Sequence, residues 1–235
     1  MIETAMILAA GLGTRMRPLT DDRPKPLIEV SGKALIDHVL DCLTSGGVKR
    51  VVVNLHYRAD QLHDHLEQYT GLEIMLSDET DQLLDSGGGV KKALSLLGPK
   101  PFFTVNSDSL WIKGVRGIFE SLSGSFDAKQ MGALMLVAGT NDCTGYDGRG
   151  DFYLDSEGRL SWRAESQIAP FVWTGAQIFT PAAFEDTPDG PFSMRLIWDR
   201  MIEAGNLYGL RHDGRWLHVG TPEAILEAEA ALQQL

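Results

Sequence analysis

Residues 8–27 read LAAGLGTRMRPLTDDRPKPL. Four basic side chains, Arg15, Arg17, Arg23 and Lys25, fall within this stretch; Gly11 and Gly13 flank Leu12, and Lys25 stands between Pro24 and Pro26. Glycines lack a Cβ, so an anion can approach the backbone N–H groups of Ala10, Gly11, Leu12, Gly13 and Thr14 closely. Arg15 adds a forked donor that suits phosphate oxygens. Pro26 biases Lys25 away from helical dihedrals and Pro24 stiffens the approach, so the lysine loses less entropy on meeting an anion. A glycine pair alone is equally a generic turn or a solvated basic loop. The glycines, Arg15 and the proline-bracketed lysine together point to phosphate binding.

Two other phosphate motifs do not fit. A P-loop needs G-K-[ST] after its second glycine, and Thr14-Arg15 follows Gly13. A dinucleotide-binding turn needs a third glycine and an immediate helix, whereas prolines stand at 18, 24 and 26. The whole chain has a net charge of −11. That charge argues against nucleic acid or an anionic membrane as a partner and leaves any anionic ligand to a local arrangement. Cys42 and Cys143 form no C-x-x-C pair, which fits a reducing compartment. With no signal-like N-terminus and no apolar run of membrane length, a cytoplasmic protein is expected.

The elements that must hold the loop follow from periodicity. AMILA (5–9) is a short strand ending at the glycines. Residues 33–47 place Leu35, Ile36, Val39, Leu40 and Leu43 on one helical face. Strands are expected at 50–56, 72–79 and 102–108, with helices at 58–69 and 87–98, the latter opened and closed by glycine. Alternation of this kind implies a mainly parallel sheet covered on both faces. After about residue 140 the pattern turns to short β-like pieces, FYLD, RLSWR and FVWTGAQIF, and to helices at 194–205 and 221–235, the second capped by Thr221 with Pro222 in its first turn. One continuous domain over 1–235 is expected, with 1–140 as the nucleotide half and 141–235 as the acceptor half.

L-A-A-G-x-G-x-R-x-x-P-L-T followed by P-K-P-L resembles the signature of the sugar-1-phosphate nucleotidyltransferases. The resemblance implies a Rossmann-like three-layer α/β/α fold with a mainly parallel mixed sheet. It also implies a Mg²⁺-dependent reaction, with Mn²⁺ as an alternative ion. A sugar 1-phosphate attacks the α-phosphorus of a nucleoside triphosphate, pyrophosphate leaves and a nucleotide-sugar remains. Attacker and electrophile are both anions, so catalysis is expected to be positioning plus neutralisation, with Arg15, Lys25 and Asp108 as the catalytic set. The phosphate monoester is already a nucleophile, and no Ser–His–Asp triad is evident.

Asp108 ends the run FFTVNSD at a sheet's carboxyl edge, where a carboxylate suits Mg²⁺. The alternative is a turn aspartate capping a helix at 115–122. Asn106-Ser107-Asp108 resembles the family's metal element, which implies Asp108 as metal ligand and Asn106 as a ligand contact. DSGGGV at 85–90 resembles the E-T-G-G-G-I string of bacterial N-acetylmuramate-1-phosphate uridylyltransferases, enzymes of cell-wall precursor recycling. That match implies UTP, with backbone at Gly87 and Gly88 against the base. Guanylyl transfer to mannose 1-phosphate and a non-catalytic nucleotide-sugar regulator remain alternatives.

On the acceptor side, RGDFYLD at 149–155 resembles the same group and implies Gly150 as a backbone contact to the sugar, with Glu165, Thr174 and Gly175 completing the sugar site. Glu165 reads equally as an exposed carboxylate, and Trp162, Trp173 and Trp198 as packing aromatics. WLHVGT places His218 where the family carries a second metal-binding aspartate. A histidine there suits softer metals better than Mg²⁺, and a proton on it would compete with metal as pH falls toward about 6.5. The family's lysine contact to the sugar phosphate has no clear equivalent; Arg163 and Lys113 are candidates.

Overall fold

A computed structural model of the protein describes residues 1–112 and 114–234; Lys113 lies outside the described residues. The four apolar runs of the first half form the strands Thr4–Leu8, Arg50–Leu55, Glu73–Asp78 and Phe102–Asn106. All four are parallel. Arg50–Leu55 and Glu73–Asp78 extend the sheet on one side of Thr4–Leu8, and Phe102–Asn106 pairs on the other. The order in which the chain adds strands therefore reverses between Thr4–Leu8 and Phe102–Asn106, the point at which open α/β sheets bind ligands outside their carboxyl ends. Leu8 stands opposite Asn106 in the register, so the glycine loop and the N-S-D turn leave the sheet side by side.

Alternating side chains feed two layers. Ala5, Ile7, Val51, Val53, Phe103 and Val105 pack against the helices Leu35–Ser45, Ala59–Glu67 and Ile118–Ser125, with Leu40, Leu62 and Phe119 fully or nearly buried. Met6, Val52 and Phe102 face the other way, toward Val90 and Ala93 of the helix Asp85–Leu97 and Ile197 and Met201 of Arg195–Glu203. The five apolar positions expected on Leu35–Ser45 are all buried. The result is a three-layer α/β/α fold with a mixed nine-stranded sheet.

Beyond Phe102–Asn106 the sheet turns antiparallel. Phe171–Phe179 pairs with Phe102–Asn106 and also with Ala133–Gly139, whose parallel neighbour is Leu207–Arg211; Phe152–Leu154 and Leu160–Trp162 close that edge. The sequence reading missed Ala133–Gly139 and Leu207–Arg211, although Gly132 and Gly139 bound the first and Gly205 and Gly214 flank the second. A separate sheet of Ser109–Ile112, Arg215–His218 and Cys143–Thr144 sits over the crevice and holds His218 opposite Ser109. Its underside, with Met16, Leu110, Leu217 and Val219, packs on Ala228 and Ala231 of the last helix, Pro222–Leu232. Thr221 caps that helix by accepting from Ala224 N–H. Among the described residues no helix is long and apolar enough to cross a membrane.

Three local expectations are corrected. The helix expected at 87–98 begins at Asp85, so the glycine triplet lies within its first turns and is buried. The helix expected at 115–122 spans Ile118–Ser125, too far along for Asp108 to cap it. Lys25 opens a single 3-10 turn, Lys25–Leu27, rather than continuing an extended segment. Pro26 is tolerated there because an N–H in the first turn has no intrahelical partner to lose.

Candidate active site

The crevice between the two loops is a cleft of about 230 Å³ lined by Gly11, Gly13, Thr14, Arg15, Lys25, Asn106, Ser107 and Asp108, with Gly220 closing one side. It brings together most of the phosphate and metal candidates. Ala10 is buried and Leu12 is exposed; neither lines the cleft. Gly13 adopts a left-handed φ of 62°, and a Cβ there would stand 3.0 Å from both Lys25 Cβ and Thr20 Cγ2. Glycine is therefore required for the loop to fold back over Lys25. Thr20, which the sequence reading passed over, locks the turn by donating its hydroxyl to Gly13 O at 2.9 Å.

The four cations of the opening stretch separate by role. Arg17 and Arg23 make exposed pairs with Asp21 and Asp22. Arg15 is exposed at the cleft, and Lys25 Nζ meets Asp108 Oδ2 at 2.5 Å with side-chain exposures of 12% and 15%. Water screens that pair far less than a surface pair. The other oxygen, Asp108 Oδ1, is buried without a hydrogen-bond partner, and so is His218 Nδ1. His218 arrives from the overlying sheet, where Val219 N–H donates to Asp108 O at 3.0 Å. Burial lowers the pKa of His218; Asp108 opposes the shift, and Lys25 and Arg15 reinforce it. The neutral imidazole, with a lone pair to offer, is the favoured form.

The remaining candidates lie outside this cleft. The N–H groups of Gly87 and Gly88 both donate to Phe192 O, at 2.9 and 3.1 Å. A Cβ on Gly88 would stand 2.3 Å from Gly190 O, so these glycines admit the 190–192 segment against the helix. Gly150 is committed in the same way: its N–H meets Tyr146 Oη and its carbonyl accepts from Arg163 Nε. Arg163 Nη1 reaches the carbonyls of Ala164, Glu165 and Gln167, which makes it a loop organiser with little left for a phosphate. Glu165 is exposed; Thr174 is buried with its hydroxyl on Leu136 O. Gly175, at a left-handed φ of 85°, abuts Asn106, where a Cβ would lie 3.0 Å from Asn106 Cβ. Trp162, Trp173 and Trp198 pack on one another, with each indole N–H partnered.

Residues 4–148 match the family described as nucleotidyl transferase. The chain is 45% identical over 234 residues to the N-acetylmuramate alpha-1-phosphate uridylyltransferase of Caulobacter vibrioides, covering 98% of this chain and 97% of that one. It is 34% identical to the Neisseria meningitidis protein of the same name, with 96% of each covered. A UDP-glucose pyrophosphorylase solved with UDP-glucose superposes with a TM-score of 0.82 at 17% identity, over 100% of this chain and 99% of that one. At that identity the likeness speaks for the fold alone. Strand order, the cleft at the switch point and these matches agree: the chain belongs to the nucleotidyl transferase family.

Proposed function

We propose that this chain transfers a uridylyl group from UTP to N-acetylmuramate α-1-phosphate and releases pyrophosphate. The observation that carries the reading is the 45% identity, end to end, with the Caulobacter vibrioides uridylyltransferase. A phosphate oxygen of the sugar 1-phosphate forms a bond to the α-phosphorus, and the bond from that phosphorus to the pyrophosphate oxygen breaks. In this reading Gly11, Gly13 and Thr14 cradle the triphosphate through backbone N–H groups, Arg15 and Lys25 neutralise it, and Asn106 orients it. Gly175, against Asn106, brings the acceptor strand to the same point.

Asp108 Oδ1 and His218 Nδ1 are two buried atoms without hydrogen-bond partners, and with the imidazole proton on Nε2 they would fit a divalent cation. When bound, that ion, Mg²⁺ with Mn²⁺ as the alternative, would draw charge off the phosphate oxygens. Lys25, which holds Asp108 in the free protein, would also be the cation closest at hand to neutralise the triphosphate.

We read 1–235 as one domain, because Phe171–Phe179 of the acceptor half pairs directly with Phe102–Asn106 of the nucleotide half. Both substrates are soluble small molecules, in keeping with work in the cytoplasm on cell-wall precursors. A mannose-1-phosphate guanylyltransferase catalytic subunit beta of Drosophila pseudoobscura pseudoobscura is 28% identical, and the chain spans 60% of its length. The test is a grid of UTP, GTP and dTTP against N-acetylmuramate, glucose and mannose 1-phosphates, read by pyrophosphate release and product mass. UTP with N-acetylmuramate α-1-phosphate should give the highest kcat/KM. Preference for GTP with mannose 1-phosphate would replace the reading, and nucleotide binding without pyrophosphate would point to a regulator.

A further inference from the structure

Two polar residues outside the cleft are buried where the sheet should be apolar. Asn54 interrupts the strand Arg50–Leu55 at 3% exposure, and Glu79, just past the neighbouring strand, is 0% exposed. They form one chain of hydrogen bonds. Asn54 Oδ1 accepts from Ala9 N–H at 2.7 Å, Asn54 Nδ2 donates to Glu79 Oε1 at 2.7 Å, and Glu79 Oε2 accepts from Leu84 N–H at 3.1 Å. The backbone of Glu79 is fixed as well, its N–H on Leu55 O and its carbonyl on His56 Nδ1. Gly89, the one glycine of the triplet without a contact to the 190–192 segment, serves this chain: a Cβ there would stand 2.7 Å from Glu79 Oε1 and 3.1 Å from Asn54 Nδ2.

Ala9 lines the phosphate cleft at the root of the glycine loop, and Leu84 is the last residue before the helix Asp85–Leu97. A carboxylate buried among amides is costly unless every lone pair it offers is used, so its geometry is tightly specified. We propose that Asn54 and Glu79 are positioning residues for the nucleotide: a buried bracket that sets the spacing between the glycine loop and the 80–84 loop, and with it the register of base against triphosphate. The inference rests on the reading that a nucleotide spans these two loops.

The chain has a polarity that can be tested. Ala9 N–H and Leu84 N–H can only donate, so the pair between them must present acceptors at both ends and one donor–acceptor contact in the middle. Asn54 with Glu79 does this, and so would aspartate at 54 with glutamine at 79. Glu79→Gln alone sets two amide N–H groups against each other, and Asn54→Asp alone sets two carboxylates against each other. The four proteins of this cycle are compared by UTP dissociation constant in calorimetry, by KM for UTP and for the acceptor, and by melting temperature.

Each single variant should raise the UTP constants by about tenfold or more, leave the acceptor KM within about twofold and lower the UTP-over-GTP preference. Asn54→Asp/Glu79→Gln should return the UTP constants to within about threefold of the original protein. Single variants with unchanged UTP constants, or equal rises for both substrates, would overturn the proposal. So would a double variant that recovers its melting temperature but not its UTP affinity; that comparison remains decisive if the single variants fail to fold. A protein that binds UTP but releases no pyrophosphate fails the transferase reading while the calorimetry still reads the bracket. A protein with no affinity for UTP overturns both.

Discussion

In the free protein Lys25 holds Asp108, and in the proposed reaction it would face the triphosphate. Lys25→Ala removes a charge-assisted contact worth about 1.5–3 kcal/mol, so kcat/KM for UTP should fall roughly 10- to 100-fold in a protein that still folds. Unchanged steady-state constants would remove the lysine from the site. In the proposed cation position His218 would supply a nitrogen beside the oxygen of Asp108. His218→Asp supplies a second oxygen in place of nitrogen, so the ratio of Mg²⁺- to Mn²⁺-supported turnover should rise. An unchanged ratio would make the histidine structural. The expected acid limb near pH 6.5 is also revised. Burial lowers the pKa of His218, so the proton that competes with metal arrives only below the ordinary histidine value, and turnover should persist through that pH in a pH–rate profile.

At the scale of elements, the glycine triplet shows how one motif can serve several contacts. The resemblance implies Gly87 and Gly88 against the base, whereas a Cβ at 88 would stand 2.3 Å from Gly190 O, so a side chain there strikes the fold itself. Gly88→Ala should cost about 1–3 kcal/mol through overpacking and lower the melting temperature by several degrees. A melting curve identical to that of the parent would show that the 190–192 segment moves aside freely. The four parallel strands, the Leu35–Ser45 face and the Thr221 cap were legible because each is written in local periodicity or a local cap. Ala133–Gly139 was not, because a strand buried on both faces lacks alternation, and Leu207–Arg211 was not, because Gly209 interrupts a run of only five residues. Arg15, Lys25, Asn106 and Asp108 were legible as a site because two loops carry them and the strand order sets those loops side by side. Asn54 and Glu79 were not. The only sign of Asn54 was an amide inside R-V-V-V-N-L, and its partners lie at positions 9, 79 and 84, contacts that only the folded sheet creates.

Over the whole molecule, a net charge of −11 coexists with an activity on two phosphorylated substrates. The fold resolves this by pairing outlying cations with local acids and keeping Arg15 and Lys25 at the switch point, where the sheet's carboxyl ends meet. Among the described residues that line the cleft there is no cysteine and no histidine, so Thr14 and Ser107 have no imidazole in the lining to activate them. Burial pushes the thiols of Cys42 and Cys143 up to about 11 and about 12, which keeps them protonated, and neither lines the cleft. The account therefore rests on a single direct transfer between two substrates that the chain positions and neutralises. The stereochemistry at the α-phosphorus tests this most directly, using one diastereomer of UTP with sulfur on the α-phosphorus and N-acetylmuramate α-1-phosphate as acceptor. One in-line displacement predicts inversion of configuration in the nucleotide-sugar. Retention would mean two displacements through a uridylylated residue of the protein, and would contradict the account.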